Sequence, residues 1–162
     1  MSKKWTQEKI KLPKTLNIAD RKKIAGAIIE LIITRSAGGL DKNNKEFSNY
    51  NKNYAELKGV GVSDVDLILS GEMLDSLEYL SSKPGEITIG YKEPSDELAG
   101  KVEGNRRGTY GQSKPIPGKA RDFLGIDPGE LDILIGAYES DIDLDQAFNV
   151  ESVLDDILSG VL

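Results

Sequence analysis

Residues 17–39 read NIADRKKIAGAIIELIITRSAGG, and this stretch decides the fold more than any other. Asn17 suits a helix N-cap, and Asp20 stands three residues on. Ile24, Ala27, Ile28, Leu31 and Ile32 then recur at helical spacing until Gly38 and Gly39 stop the run. The spacing predicts a helix of about 20 residues with one apolar stripe. Ile29 and Ile33 widen that stripe, enough for contact with both a sheet and a neighbouring subunit.

Such a helix needs a surface to cover, and residues 79–91, YLSSKPGEITIGY, supply one. Their turn, Lys83-Pro84-Gly85, and the placing of Ile87, Ile89 and Tyr91 on one face predict an antiparallel hairpin. Before it, Val65, Leu67 and Leu69 predict a short strand, and Ser70 caps a helical turn carrying Met73, Leu74 and Leu77. A short helix is expected over 51–58. Asp96 to Glu103 predicts another, followed by a Gly-, Arg- and Pro-rich loop from Gly104 to Gly118. Ala120 to Ile126 is a compact apolar return. Pro128 opens a helix carrying Leu131, Leu134, Ile135 and Tyr138, and Val150 to Leu158 predicts one more.

The expected class is α+β: a long N-terminal helix packed on a small antiparallel sheet, with short helices and a C-terminal acidic helical extension. Residues 1–16 mix lysines with Trp5, Ile10, Leu12 and Pro13 and are expected to form an extended arm that reaches a neighbour. The α+β domain then spans 17–126, and the acidic extension 127–162.

Composition narrows the chemistry. The chain's 162 residues include no cysteine and no histidine, which removes disulfides, thiolate zinc sites and the commonest general base. No apolar run approaches the roughly 18 residues of a membrane span, and the lysine-rich start lacks a signal-peptide core, so the chain reads as cytosolic without a membrane partner. Residues 1–58 carry 13 basic and 6 acidic side chains, 59–125 carry 8 and 11, and 126–162 carry none and 10. A chain polarised in this way suits head-to-tail packing of copies, and its basic end also suits nucleic acid.

Motifs for catalysis are weak. Asp64, Asp66 and Asp75 or Glu78 form a carboxylate set that a metal-dependent hydrolase could use, although alternation with Val65 and Leu67 explains the first two as a strand's solvent side. Asp41 to Lys45 resembles a calcium loop superficially, but Lys45 stands at the third ligand position and Glu46 replaces the glycine; a turn is expected. Gly111 to Lys119 has six residues between its glycines where a phosphate loop needs four. A nucleic-acid-binding accessory protein is the further alternative, opposed by overall acidity and scattered lysines.

Five stretches stand out in order: Arg35 to Asp41; Lys45 to Tyr50 with Asn53 to Lys58; Leu69 to Leu77; Ile87 to Tyr91; and Ala120 to Ile126. Together they resemble the tail-completion, or neck, family of tailed bacteriophages. The chain departs from the family pattern at Glu103 to Gly108, where a His-Gln-x-Gly segment is common, and at Arg121-Asp122-Phe123, where Arg-Pro-Phe is common. The resemblance implies a structural, non-enzymatic subunit without cofactor or metal. It implies a ring of six copies in the virion, assembled in the host bacterial cytoplasm, which joins the head connector to the tail tube or tail terminator. DNA would pass through the ring without specific binding. The interface candidates are Trp5, Arg106, Arg107, Arg121 and Phe123, with the two adjacent arginines placed on a loop that grips a neighbouring ring.

Overall fold

A computed structural model describes residues 4–47, 56, 71–110, 112–116 and 119–139. In chain order these form strand β1 (Gln7–Lys11), helix α1 (Ile18–Ala37), a short helix α2 (Gly71–Asp75), strands β2 (Glu78–Lys83) and β3 (Glu86–Gly90), helix α3 (Asp96–Arg107) and helix α4 (Pro128–Glu139). A 3-10 turn, Lys4–Thr6, precedes β1. The class is α+β. The expected elements at 51–58, 65–69 and 150–158, together with Asp64 and Asp66, lie outside the described residues.

Helix α1 begins where its cap begins: the Asn17 side chain accepts the Asp20 amide at 2.9 Å. It ends at Gly38 and Gly39, whose amides donate to the carbonyls of Thr34 and Ser36. Ile24, Ile28, Leu31 and Ile32 on its inner face are fully buried, each such side chain contributing about 1.5–3 kcal/mol relative to exposure.

The sheet has the order β1-β3-β2, both pairs antiparallel, with Pro84-Gly85 joining β2 to β3. Register places Ile10 opposite Ile87 and Glu8 opposite Ile89 on one face, and Lys9, Thr88 and Ser81 on the other. The isoleucine face turns toward α1: Ser82, paired with Ile87, accepts the Arg21 Nε–H of α1 at 3.1 Å. Lys9, Lys11, Ser81 and Lys83 of the opposite face are exposed, so the sheet is apolar within and polar without.

β1 revises the expected arm. The segment is extended, but Gln7–Lys11 forms an edge strand of the domain's own sheet, and Ile10, Leu12 and Leu16 are buried in the core. Gly90 makes this possible. A Cβ there would stand 2.2 Å from the Thr6 carbonyl oxygen, so only a residue without one lets β1 close on β3.

The second revision concerns α3. It runs through Gly104 to Arg107, four residues past the expected end at Glu103, and stops at Gly108, whose φ of 77° is the left-handed C-cap geometry. Arg106 and Arg107 therefore stand on a helix, not on a loop. Past the cap, the apolar return buries Phe123 and Leu124 completely, and α4 follows with Leu134 buried. Asp127 starts α4, its side chain accepting the Gly129 amide and its carbonyl the Leu131 amide. Among the described residues no helix is long and apolar enough to cross a membrane.

Candidate functional site

The last turn of α3 gathers most of the polar chemistry in the described residues. Ser95 caps the helix by accepting the Leu98 amide, Asp96 and Glu97 occupy the first turn, and Arg106 and Arg107 the last. Each sign sits at the end of the helix dipole that favours it.

Arg106 is the hub. Its side chain is 4% exposed and its Nε–H donates to Asp122 Oδ1 at 2.7 Å. Nη2 donates to Glu8 Oε2 at 2.8 Å and to the Leu124 carbonyl at 3.2 Å, and Nη1 donates to the Trp5 carbonyl at 2.9 Å. One guanidinium thus ties α3 to the start of β1 and to the apolar return. Both carboxylates keep some water, with side chains 31% and 21% exposed, so their charge is only partly desolvated. Lys42 adds a second cation to Asp122 at 3.0 Å.

Around this hub lies a cationic, aromatic surface. The Trp5 ring has Lys4 Nζ at 5.2 Å, Arg107 Cζ at 5.3 Å and Arg106 Cζ at 5.6 Å from its centre, distances at which a cation is attracted to the indole face. Arg107 also pairs with Glu103 one turn back at 3.0 Å. Beyond Gly108 the chain folds back against α3: Ile116 N–H donates to the Gly108 carbonyl and Arg121 N–H to the Asn105 carbonyl. Gly108 is needed here as well, since a Cβ would meet the Ala120 nitrogen at 2.8 Å. Tyr110, 38% exposed, donates its hydroxyl to the Lys119 carbonyl, and Arg121 stands 5.4 Å from its ring centre. From Thr109 to Arg121 the sequence carries Lys114, Lys119 and Arg121 and no acid.

A second buried cluster joins α1 to α4. Arg35, with no exposed surface, donates through Nη2 to the carbonyls of Phe123 and Gly125, both at 2.8 Å. Its Nη1 lies 3.6 Å from Glu130, which accepts from Asn44 Nδ2 at 2.7 Å. Arg35 Nε and Nη1, Glu130 Oε2, Asn44 Oδ1 and Ser36 Oγ make no hydrogen bond. Burial pulls the Arg35 pKa below its ordinary value against the pull of Glu130, Asp41, Asp122 and Asp127. Burial also pushes Glu130 up, opposed by the Asn44 hydrogen bond and Arg35.

Of the interface candidates, Trp5, Arg107 and Arg121 all lie at this end of α3, each half-buried at the surface. Arg106 and Phe123 do not offer themselves to a partner: the first is enclosed by its own chain's acceptors and the second is core. Tyr110 is the residue the sequence reading missed; its position inside a Gly-rich segment gave no periodic signal. Asp75 and Glu78 are exposed, and no group of three or more carboxylates placed to hold a metal ion occurs among the described residues. The Asp41 turn is as expected, its side chain accepting the amides of Asn43 and Lys45. Tyr91 borders a polar depression with Ser76, Glu78 and Lys92. Its hydroxyl nonetheless donates inward to the Met73 carbonyl, and burial pushes its pKa up, opposed by Arg106.

No family model, curated protein or solved structure matches the chain.

Proposed function

We propose that this chain is a structural virion protein of a tailed phage: a neck, tail-completion or tail-terminator ring subunit that joins the head connector to the tail. The observation that carries this reading is the mutual packing of the stretches on which the resemblance rests. Arg35, at the head of the first stretch, bonds the carbonyls of Phe123 and Gly125 in the last. Phe47 N–H donates to the Gly39 carbonyl, joining the second stretch to the first, and Lys42 N–H donates to the Asp122 carbonyl. Tyr91 of the hairpin bonds Met73 of α2, joining the third to the fourth. Motifs that hold one another serve a scaffold, whereas catalytic motifs converge on a substrate-sized gap.

The protein works by packing. Its copies meet through unlike surfaces, as a closed ring requires, and its acceptors are adjacent rings of the connector and tail; DNA passes without specific attachment. Light scattering across concentration, alone and with connector or tail proteins, tests this. The expected result is a closed species of about six copies, alone or in a partner's presence, against 17.7 kDa for one chain. A monomer at every concentration that ignores those partners would remove the reading. Metal-dependent turnover of a nucleic acid or an ester would replace it with an enzyme.

A further inference from the structure

We infer that the cationic end of α3 is a docking face for the acidic C-terminal segment, residues 140–162, of a second copy of this chain. The inference rests on the ring reading for its partner and on charge and geometry for its chemistry. The face presents Lys4, Trp5, Arg107, Tyr110, Lys119 and Arg121 around the C-terminus of α3. The ion pairs of this end, Arg106 with Glu8 and Asp122 and Arg107 with Glu103, engage the nearby carboxylates, and among the described residues Lys4, Lys114 and Lys119 form no ion pair. A surface rich in cations around two aromatic rings suits an anionic chain with apolar side chains of its own. Residues 140–162 fit that description: six carboxylates, no cation, and Ile142, Leu144 and Phe148 among them. A closed ring needs an interface whose two sides differ, and a cationic face with an anionic segment gives two such sides. A nucleic acid backbone would also meet the cations, but the chain carries its own complement, covalently present at one copy for every face.

Trp5 is the chain's only tryptophan and reports on the face directly. The receptor is the full chain with Asp141, Asp143, Asp145, Asp155 and Asp156 changed to Asn, so that its own segment does not compete. Titrating a synthetic peptide of residues 140–162 is expected to shift Trp5 emission to saturation. Raising salt from about 0.05 to about 0.5 M should weaken binding roughly tenfold or more. The substitutions Lys4→Glu and Lys114→Glu at exposed positions and Lys119→Glu at a half-buried one, made together, should abolish it while leaving the far-ultraviolet circular dichroism unchanged. Peptide binding undiminished in that triple variant overturns the inference. So does a DNA duplex that displaces the peptide at equal charge, or a wild-type chain whose Trp5 signal is already that of the peptide-bound state at nanomolar concentration, with the segment folded onto its own copy. Rings that persist in the triple variant would leave the ring reading standing and remove this interface; peptide binding to a protein that never forms rings would do the reverse.

Discussion

Arg35 and Arg106 are both almost sealed from water, yet Arg106 directs its whole fork at acceptors while Arg35 satisfies only one nitrogen. Around Arg106 stand two carboxylates at hydrogen-bonding distance, each at the edge of solvent, and three carbonyls, those of Trp5, Gln7 and Leu124. Around Arg35 stand two carbonyls and one carboxylate at 3.6 Å, itself 2% exposed. The difference lies in where the counter-charge sits. A carboxylate at the rim neutralises a buried guanidinium without giving up its own hydration; one buried beside it adds a second desolvation cost that the attraction must offset. Arg106 is therefore a satisfied junction, and Arg35 a junction under electrostatic tension.

The largest test of that contrast is Arg35→Ala. It removes two hydrogen bonds and strands Glu130 without a counter-ion, with an expected loss of about 3–5 kcal/mol in denaturant unfolding. A loss below about 1 kcal/mol would dissolve the comparison. Arg106→Ala should cost less, about 2–3 kcal/mol, because Glu8 and Asp122 can take up water and Asp122 keeps Lys42. Arg106→Lys should recover less than half of that, since a point charge cannot address both carboxylates and all three carbonyls; full recovery would show that charge alone matters.

Glu130→Gln sharpens the contrast through pH. The native carboxyl titrates above the 4.5 of an ordinary glutamate, because burial disfavours its charge. Its favourable contribution is thus complete below the unfolded-state pKa and is lost as pH rises through the native one. Gln keeps an acceptor for Asn44 and cannot ionise. Thermal unfolding from pH 4 upward should therefore show the variant gaining on the wild type as pH rises and levelling off once Glu130 is ionised. A gap moving the other way would mean that the attraction to Arg35 outweighs the desolvation. Arg107→Ala should be the mildest change, at most about 0.5 kcal/mol, because the pair it breaks with Glu103 is partly exposed and one helical turn long.

Much of the fold is legible in the chain because its signals are local. Asn17 with Asp20, then Gly38-Gly39, bracket α1 within a residue at either end, and Pro84-Gly85 places the hairpin. Pro128 opens α4 for the same reason. β1 escapes because Gln-Glu-Lys-Ile-Lys contains one inward apolar residue and its partner strand begins at Glu86, so nothing nearby marks it as a strand. The end of α3 escapes because Gly104 resembles a stop; the stop that acts is Gly108, and Gly104 is buried inside the helix. The candidate surface is half legible. Trp5, Arg107 and Arg121 are visible as chemistry, but only folding brings residue 5 beside 107 and residue 121 beside Asn105 on the same turn of α3. Phe123 reads as an interface candidate within the apolar return, whereas the fold buries it completely, its carbonyl accepting from Arg35 Nη2.

The sheet's strand order also sets an order of assembly in time. The central strand β3 is the last of the three in sequence, and its hairpin with β2 closes through a two-residue turn, a microsecond-scale event that local chain supplies. The other edge must wait. β1 pairs with β3 only after the whole intervening chain, α1 included, has been looped between them, a closure whose entropy cost is met before its hydrogen bonds form. During synthesis the N-terminal strand is thus made first and seated last, and Gly90, the residue that admits it, emerges from the ribosome some 80 residues after Ile10, the side chain that β1 contributes to the core.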